Sequence, residues 1–248
     1  MTVVSVDLAY KRFADIGFCV LTDRDTVIET RFPDVASIAD GTPTADGVAD
    51  RCLDLCEQVG ARFLLLDGPQ GWKDPENGLP VSRICERALN TPAKSGLPGK
   101  VKPGNYLPFV QFSIEVFDAL AARGWHRLQS GEPPQGARQI AIESFPLSAW
   151  LSLELPALPA KAKCRPEHLD DRLSHLRRLF PLDLDRAPNH DELQALVSGL
   201  GGIALEGGRR SGYSVAGVPP VLRDGHWREG LILNPLRSHS GPIDKSQR

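Results

Sequence analysis

A four-residue apolar run, from Phe63 to Leu66, is the feature that most restricts how this chain can fold. The run is too short for a helix and lacks the polar alternation of an exposed strand, so it predicts a strand buried on both faces. It stops at Asp67, and Gly68 and Pro69 then break the element. We therefore expect Asp67 at the carboxyl end of a central strand, the edge where open α/β sheets bind ligands.

Two other short apolar segments end in a carboxylate in the same way. Residues 3–7 read VVSVD and end at Asp7, while residues 139–143 read QIAIE and end at Glu143. A lone aspartate after a strand is most often a turn residue, but three such acids in one α/β chain favour a shared site. Carboxylate oxygens are the ligands that Mg²⁺ and Mn²⁺ prefer, so this pattern predicts a divalent-metal site.

A fourth acid, Asp191, lies in the first turn of a predicted long helix at residues 189–206. Asn189 is a good N-cap, and Glu192 completes an approximate capping box. The helix dipole stabilises an acid at this position in any case, which makes Asp191 a weaker candidate than the strand-end acids. Because two-metal phosphodiester hydrolysis needs a cluster of carboxylates, the predicted catalytic and metal-binding set is Asp7, Asp67, Glu143 and Asp191.

Composition limits the classes of protein to consider. The chain has 248 residues and a formal net charge of -2, so the whole-molecule field does not attract nucleic acid and any polyanion partner would need a local basic patch. No apolar run is long enough to span a membrane. The first residues enter a strand without a basic, signal-like segment, which predicts a cytoplasmic protein. The five cysteines are scattered and are expected to be reduced. Nothing indicates an oligomeric state.

Periodicity and turn signals predict a single α/β domain over residues 1–237, followed by a disordered tail at 238–248. The predicted strands are at residues 3–7, 16–21, 26–30, 63–67 and 139–143, with a terminal hairpin at 213–233. The predicted helices are at residues 45–59, 109–123, 145–153, 166–180 and 189–206.

A long segment rich in glycine and proline, residues 70–108, interrupts this pattern. It holds one predicted helix at 82–90, and the rest is expected to be irregular. Arg83 either meets a phosphate or pairs with a neighbouring acid, and Trp72 either stacks on a base or packs inside the fold. With no acid between them, three lysines form either a solvated loop or a contact for nucleic acid. The predicted nucleic-acid-binding residues are thus Arg83, Lys94, Lys100 and Lys102.

Six short motifs occur along the chain in a fixed order: VSVDLA, LLLDGPQG, SRICER, AIESFP, NHDELQALVSGLGG and EGLILNP. In this order they resemble the domain of unknown function 429 family, a group of predicted RNase H-like nucleases. The resemblance implies a mixed sheet of three antiparallel strands and then parallel strands, flanked by helices. It also implies that Asp7, Asp67 and Glu143 match the family's acids.

The chain departs from the family pattern in its last helix. That helix resembles D-x-x-D-A-L in the family, but here Gln194 stands in place of the second aspartate, before Ala195 and Leu196. A neutral amide brings no charge to a metal site. Asp191, three residues earlier on the same helix face, either takes over this role or leaves the site with three acids.

Three functions fit these observations. The first is a nuclease or phosphodiesterase that depends on Mg²⁺ or Mn²⁺. The second is a non-catalytic protein that binds nucleic acid or nucleotides on a decayed nuclease fold, which the neutral Gln194 favours. The third is a phosphoryl-transfer enzyme of the related actin-like ATPase architecture, against which stands the lack of a convincing glycine-rich phosphate loop.

Overall fold

The computed structural model describes residues 1–33, 41–132, 136 and 138–237, so parts of the predicted loop at 34–44 and the predicted tail lie outside the described residues. The helices are α1 (Ala45–Val59), α2 (Ile84–Ala88), α3 (Leu107–Ala122), α4 (Pro146–Ser152), α5 (Pro166–Leu179) and α6 (His190–Glu206). The strands are β1 (Thr2–Asp7), β2 (Gly17–Asp23), β3 (Ile28–Arg31), β4 (Phe63–Asp67), β5 (Lys94–Ser95), β6 (Val101–Lys102), β7 (His126–Arg127), β8 (Ile140–Ser144), β9 (Leu182–Leu184), β10 (Tyr213–Arg223) and β11 (His226–Pro235).

Strand order and direction identify the fold class. Along the main sheet the order is β10-β11-β8-β4-β1-β2-β3-β9, and β7 also pairs with β8. The pairs β1–β2 and β2–β3 are antiparallel, whereas β1, β4, β8 and β11 run parallel to one another. Helices cover both faces of the sheet. The predicted RNase H-like mixed sheet is therefore confirmed.

Burial on both faces explains the continuous apolar run of β4. Phe63 and Leu65 belong to the core beneath α6, while Leu64 and Leu66 belong to a second core beneath α1 and α3. All four side chains are fully buried. Since neither face of β4 meets solvent, the strand needs no polar alternation, as the sequence predicted.

The start of α6 lies against the backbone of β2. Gly17 is paired with Asp7 in the β1–β2 register, and a Cβ atom at Gly17 would lie 2.3 Å from the carbonyl carbon of Asp191. Along the same helix, Gly199 and Gly202 lie against leucine side chains of the sheet. A Cβ atom added at either glycine would lie 2.4 Å from a leucine methyl carbon. The missing side chains let α6 approach the sheet closely, and this approach brings Asp191 toward the end of β1.

The insertion is more regular than predicted. Residues 91–108 were expected to be irregular, but β5 and β6 form an antiparallel hairpin there. Val101 from this hairpin packs with Trp72, Val110 and Ile114 in a small separate core. The alternating pattern is only two residues long in each strand, so periodicity cannot detect it.

Two further short strands were missed for the same reason. β7 and β9 have two and three residues, and residues 181–188 were predicted as a loop. β9 pairs in parallel with β3 at the sheet edge, and β7 pairs in parallel with β8. Such segments become strands because a partner edge is available, which is a tertiary condition.

Two predictions from composition can be compared with the structure. Within the described ranges, no helix is both long enough and apolar enough to cross a membrane. All five cysteines carry free thiols, as expected.

We expect Gly17→Ala to destabilise the fold by about 1–3 kcal/mol, the usual effect of overpacking a close contact. The added methyl group must displace the first turn of α6, because its nearest neighbours are backbone atoms. Urea unfolding measures the loss. Gly104→Ala is the matched control, since nothing lies within 4 Å of a Cβ at that position. Equal stability of the two variants would contradict the close approach.

Candidate metal-binding carboxylate site

Asp7 and Asp67 stand side by side at the carboxyl ends of β1 and β4. In the parallel register Val6 lies opposite Leu66, and the next residue on each strand is the aspartate. The two carboxyl groups lie close enough for each to shift the pKa of the other. The register of two neighbouring strands thus produces the pair that the sequence predicted.

The pair titrates far from the usual range of an aspartate. Loss of hydration is the largest cause for both residues. The charges of Asp67 and Asp191 further raise the pKa of Asp7, which lies well above its ordinary value. The pKa of Asp67 is raised to about 7, with a further contribution from the charge of Glu143. Burial and the neighbouring acids therefore disfavour ionisation of both carboxyl groups.

Asp191 reaches this edge from the first turn of α6. The side chain of Asn189 caps the helix by accepting hydrogen bonds from the backbone N–H groups of Asp191 and Glu192. The carboxylate of Asp191 is close enough to raise the pKa of Asp7. Its own oxygens bind the Lys161 ammonium group and the Nδ1 atom of His190, the latter at 2.9 Å. The structure therefore brings Asp7, Asp67 and Asp191 into one electrostatic cluster.

Lys161 is a site residue that the sequence did not reveal. It lies in a short helical turn, Lys161–Lys163, within a connector that was predicted only as proline-rich. Its ammonium group bridges Asp191 and, at 2.9 Å, Asp15, and its charge lowers the pKa of Asp7. A single lysine in a polar connector gives no signal of its own, because the contact spans 30 residues of chain.

Glu143 is directed differently from the two aspartates. In the β4–β8 register it lies opposite Leu66, whereas Ser144 lies opposite Asp67. Both of its carboxylate oxygens accept hydrogen bonds from Arg83, at 2.7 and 2.6 Å, and one also accepts from the backbone N–H of Gln70. Its charge still reaches Asp67, but its oxygens already have partners.

The roles predicted for Glu143 and Arg83 are not supported by this arrangement. Arg83 is 1% exposed, and its guanidinium group binds Glu143 and Glu86. A buried guanidinium with these partners is not exposed to a phosphate backbone. The two residues predicted as a metal ligand and a nucleic-acid contact are instead partners in a buried ion pair.

The three predicted lysines of the insertion lie on its hairpin and divide into two groups. Lys94 donates hydrogen bonds from its ammonium group to the backbone carbonyls of Glu86 and Thr91. Lys100 and Lys102 are exposed. Trp72 is buried in the small core, so it packs rather than presenting its ring for stacking on a base.

Gln194, the residue that departs from the family pattern, faces α4. Its side-chain carbonyl accepts a hydrogen bond of 2.7 Å from the indole N–H of Trp150. The bond gives Gln194 a packing role in the contact between α4 and α6.

The carboxylates fit a hard cation by donor type. Asp7 and Asp67 provide oxygen ligands on two adjacent strands, and their raised pKa values mean that a nearby positive charge would favour ionisation of both. Within the described part of the chain, however, no group of three or more histidine, cysteine, aspartate or glutamate side chains is arranged so that it could hold a metal ion. In this structure the Lys161 ammonium supplies the positive charge next to Asp191.

Comparisons with known proteins give a limited picture. No family model matches the sequence, so the resemblance to the domain of unknown function 429 family is not confirmed. No curated protein matches either. Among solved structures, Thermus thermophilus RuvC aligns with a TM-score of 0.38 at 12% identity, over 79% of this chain and 90% of RuvC. T. thermophilus RuvC in complex with a Holliday junction substrate aligns with a TM-score of 0.37 at 13% identity, over 88% and 98% of the two chains. Neither similarity is high enough to transfer an activity.

The raised pKa values predict how stability depends on pH. An aspartate in the unfolded chain ionises near pH 4, whereas folded Asp67 keeps its proton up to about pH 7. The folded state therefore holds more protons in this window, and the free energy of unfolding falls as pH rises from 4 to 7, by up to about 1.4 kcal/mol per pH unit and proton. Asp67→Asn should flatten this slope in chelator-treated protein.

Urea unfolding at several pH values measures this dependence. Asp183→Asn is the matched control, because Asp183 is an exposed acid on β9 at the far edge of the sheet. A wild-type slope that Asp67→Asn leaves unchanged would show that the Asp7–Asp67 pair does not hold the extra proton.

We expect Glu143→Gln to destabilise the protein by about 3–5 kcal/mol, because it leaves the Arg83 charge buried without its main partner. If Glu143 is structural, the loss is the same with and without Mg²⁺ in thermal and urea unfolding. Asp50→Asn is the control, since the Asp50–Arg123 pair is exposed and should contribute less than about 1 kcal/mol. A loss that appears only with Mg²⁺ would restore Glu143 as a metal ligand.

Proposed function

We propose that this chain is a phosphodiesterase that depends on Mg²⁺ or Mn²⁺ and cleaves nucleic acid, a nuclease of RNase H-like fold. Asp7 and Asp67 would hold the cation, and Asp191 would add a negative charge beside it. The observation that carries the proposal is the side-by-side Asp7–Asp67 pair at the ends of β1 and β4, with Asp191 close by, at the edge where open α/β sheets bind ligands. Such a concentration of carboxylates is unfavourable unless protons or cations neutralise it.

Each residue of the site has a defined part in this proposal. When bound, the cation supplies acidification of a water molecule and stabilisation of the leaving oxygen. Asp7 and Asp67 orient the site from rigid strand ends. Lys161 would hold Asp191 in place through their ion pair. Glu143 acts through Arg83 as a positioning residue that anchors the end of β8.

A local basic surface supports a polyanionic substrate despite the net charge of -2. Lys100 and Lys102 are exposed on the hairpin of the insertion. Other residues of the insertion line a cavity together with Asp67, so the insertion lies at the same sheet edge as the acids. Contacts from Lys100 and Lys102 to the phosphate backbone would be sensitive to salt.

The second candidate is a non-catalytic protein that binds nucleic acid or nucleotides on the same fold. Two observations favour it: Gln194 replaces an acid and bonds to Trp150, and the Lys161 ammonium already neutralises Asp191. In this case the protein would bind nucleic acid without a metal requirement.

A metal titration followed by melting temperature separates the two functions. If Asp7 and Asp67 bind a cation, Mg²⁺ or Mn²⁺ at a hundredfold excess over Kd stabilises the folded state by about 2.7 kcal/mol. Asp7→Asn should abolish this shift, while Asp170→Asn, a change at an exposed acid on α5, should keep it.

Cleavage of labelled single- and double-stranded DNA and RNA is measured with the same variants. The phosphodiesterase proposal requires a metal-induced shift and cleavage in wild type, both lost in Asp7→Asn. A wild-type protein that binds nucleic acid without either property supports the second candidate and rejects the first.

A further inference from the structure

A small cavity lies between the insertion and the sheet edge, next to Asp67. It measures about 170 Å³, and residues on the ends of β4 and β8 form its inner wall. Its outer wall comes from the insertion and the start of α3. We propose that this cavity binds a single pyrimidine base, held in an unstacked position beside the carboxylates. The inference names the substrate class of the proposed phosphodiesterase and rests on that function, although base binding can be measured without it.

The walls of the cavity are suited to a flat ring. Tyr106, Phe109 and Phe145 supply aromatic surface, and Pro69 and Pro92 supply aliphatic surface. Unstacked bases are commonly held against aromatic side chains, because every base, whatever its identity, has a π-face that can stack. Phe109 and Tyr106 are only partly buried, so the cavity opens to the outside at this side.

Two buried hydroxyl groups in the lining lack hydrogen-bond partners. Ser95 and Ser144 are 0% and 1% exposed, and neither Oγ atom has a partner within the described part of the chain. The backbone of Ser95 is fixed by its N–H group, which donates to Glu86, and Ser144 is fixed in register with Asp67. Buried polar groups are normally paired, and rotation of either side chain toward the cavity would give its hydroxyl a partner on a polar ligand. A hydroxyl both donates and accepts, as the edge of a base requires.

Charge decides which kind of polar ligand fits. The lining holds three carboxyl groups, those of Asp67, Glu86 and Glu143, and a single guanidinium, that of Arg83. The nitrogens of Arg83 are directed at Glu86 and Glu143. A phosphate or carboxylate would be repelled here, whereas an uncharged ring with N–H groups would not. The phosphate of the same nucleotide would remain outside the cavity, toward the carboxylate site.

The volume favours a single ring. An apolar cavity of about 150 Å³ is known to hold benzene, so about 170 Å³ accommodates one six-membered ring with its substituents. A purine carries a second fused ring, which would extend beyond this volume. The cavity therefore predicts preference for uracil, thymine or cytosine over adenine and guanine.

The test measures binding of uridine, cytidine and adenosine by ligand-observed NMR, without metal. Ala93→Leu adds bulk to the cavity lining, and Ala119→Leu is the matched control at a partly buried alanine of α3 outside the lining. We expect uridine and cytidine to bind wild type and Ala119→Leu at least tenfold more tightly than they bind Ala93→Leu. Adenosine should bind wild type at least tenfold more weakly than uridine.

A second variant covers the case in which Ala93→Leu does not fold, which its melting temperature reveals. Ser144→Ala removes one unpartnered hydroxyl with little change in volume, and we expect severalfold weaker uridine binding. The proposal is overturned if uridine does not bind wild type, if adenosine binds equally well, or if each folded cavity variant binds uridine like wild type.

Failure of the cavity and failure of the enzyme give different results. A protein with a metal-induced melting shift and cleavage, but no uridine binding, overturns the base site and keeps the phosphodiesterase. A protein that binds uridine in a manner sensitive to Ala93→Leu, but shows neither metal shift nor cleavage, keeps the base site and rejects the phosphodiesterase.

Discussion

The parallel pairing of β1 with β4 is the constraint on which the rest of the site depends. It places two aspartates in adjacent positions at the carboxyl-end edge of the sheet, where each carboxyl group shifts the pKa of the other. Side chains buried on both faces of the sheet stabilise this pairing. Their burial offsets the unfavourable free energy of placing several carboxyl groups together at the edge. In both strands the apolar residues in the middle thus stabilise the fold, and the aspartate at the end forms the candidate site.

The approach of α6 to the sheet completes the carboxylate cluster. Gly17 leaves room for the first helical turn, and Asn189 satisfies the backbone N–H groups of that turn. Asp191 is held over the end of β1 by these backbone contacts. Lys161 lies in a connector that is distant in sequence, and its ammonium group offsets the negative charge of Asp191. A close glycine contact thus positions Asp191, and one ammonium group offsets its charge.

The insertion shares this edge and is fastened to it by a buried polar network. Arg83 joins Glu143 of β8 to Glu86 of α2, and Glu86 accepts a hydrogen bond from the backbone of β5. A buried ion pair of this kind adds little net stability, but it demands one geometry, because either partner alone would be a buried unpaired charge. The network therefore fixes part of the cavity lining, and it gives Glu143 a structural partner that Asp7 and Asp67 lack.

The sequence by itself determined the main elements and two of the site residues. The length and apolar character of residues 63–66 require a doubly buried strand, and the strand ends place Asp7 and Asp67 at one edge. Local signals also identified the helix cap that precedes Asp191. These features are local, because they depend on periodicity, capping and turn chemistry within a few residues.

Only the tertiary structure decided the partners of the acidic groups. The register places Glu143 opposite Leu66, where it forms an ion pair with Arg83. Neither fact is visible in a sequence pattern in which three strands end in an acid. Lys161 reaches Asp191 across 30 residues of chain. The strands β5, β6, β7 and β9 exist only because a neighbouring edge pairs with them. Ion pairs and strand pairs of this kind join segments that are distant in sequence. A local sequence pattern therefore cannot predict them, because the contacts exist only in the folded chain.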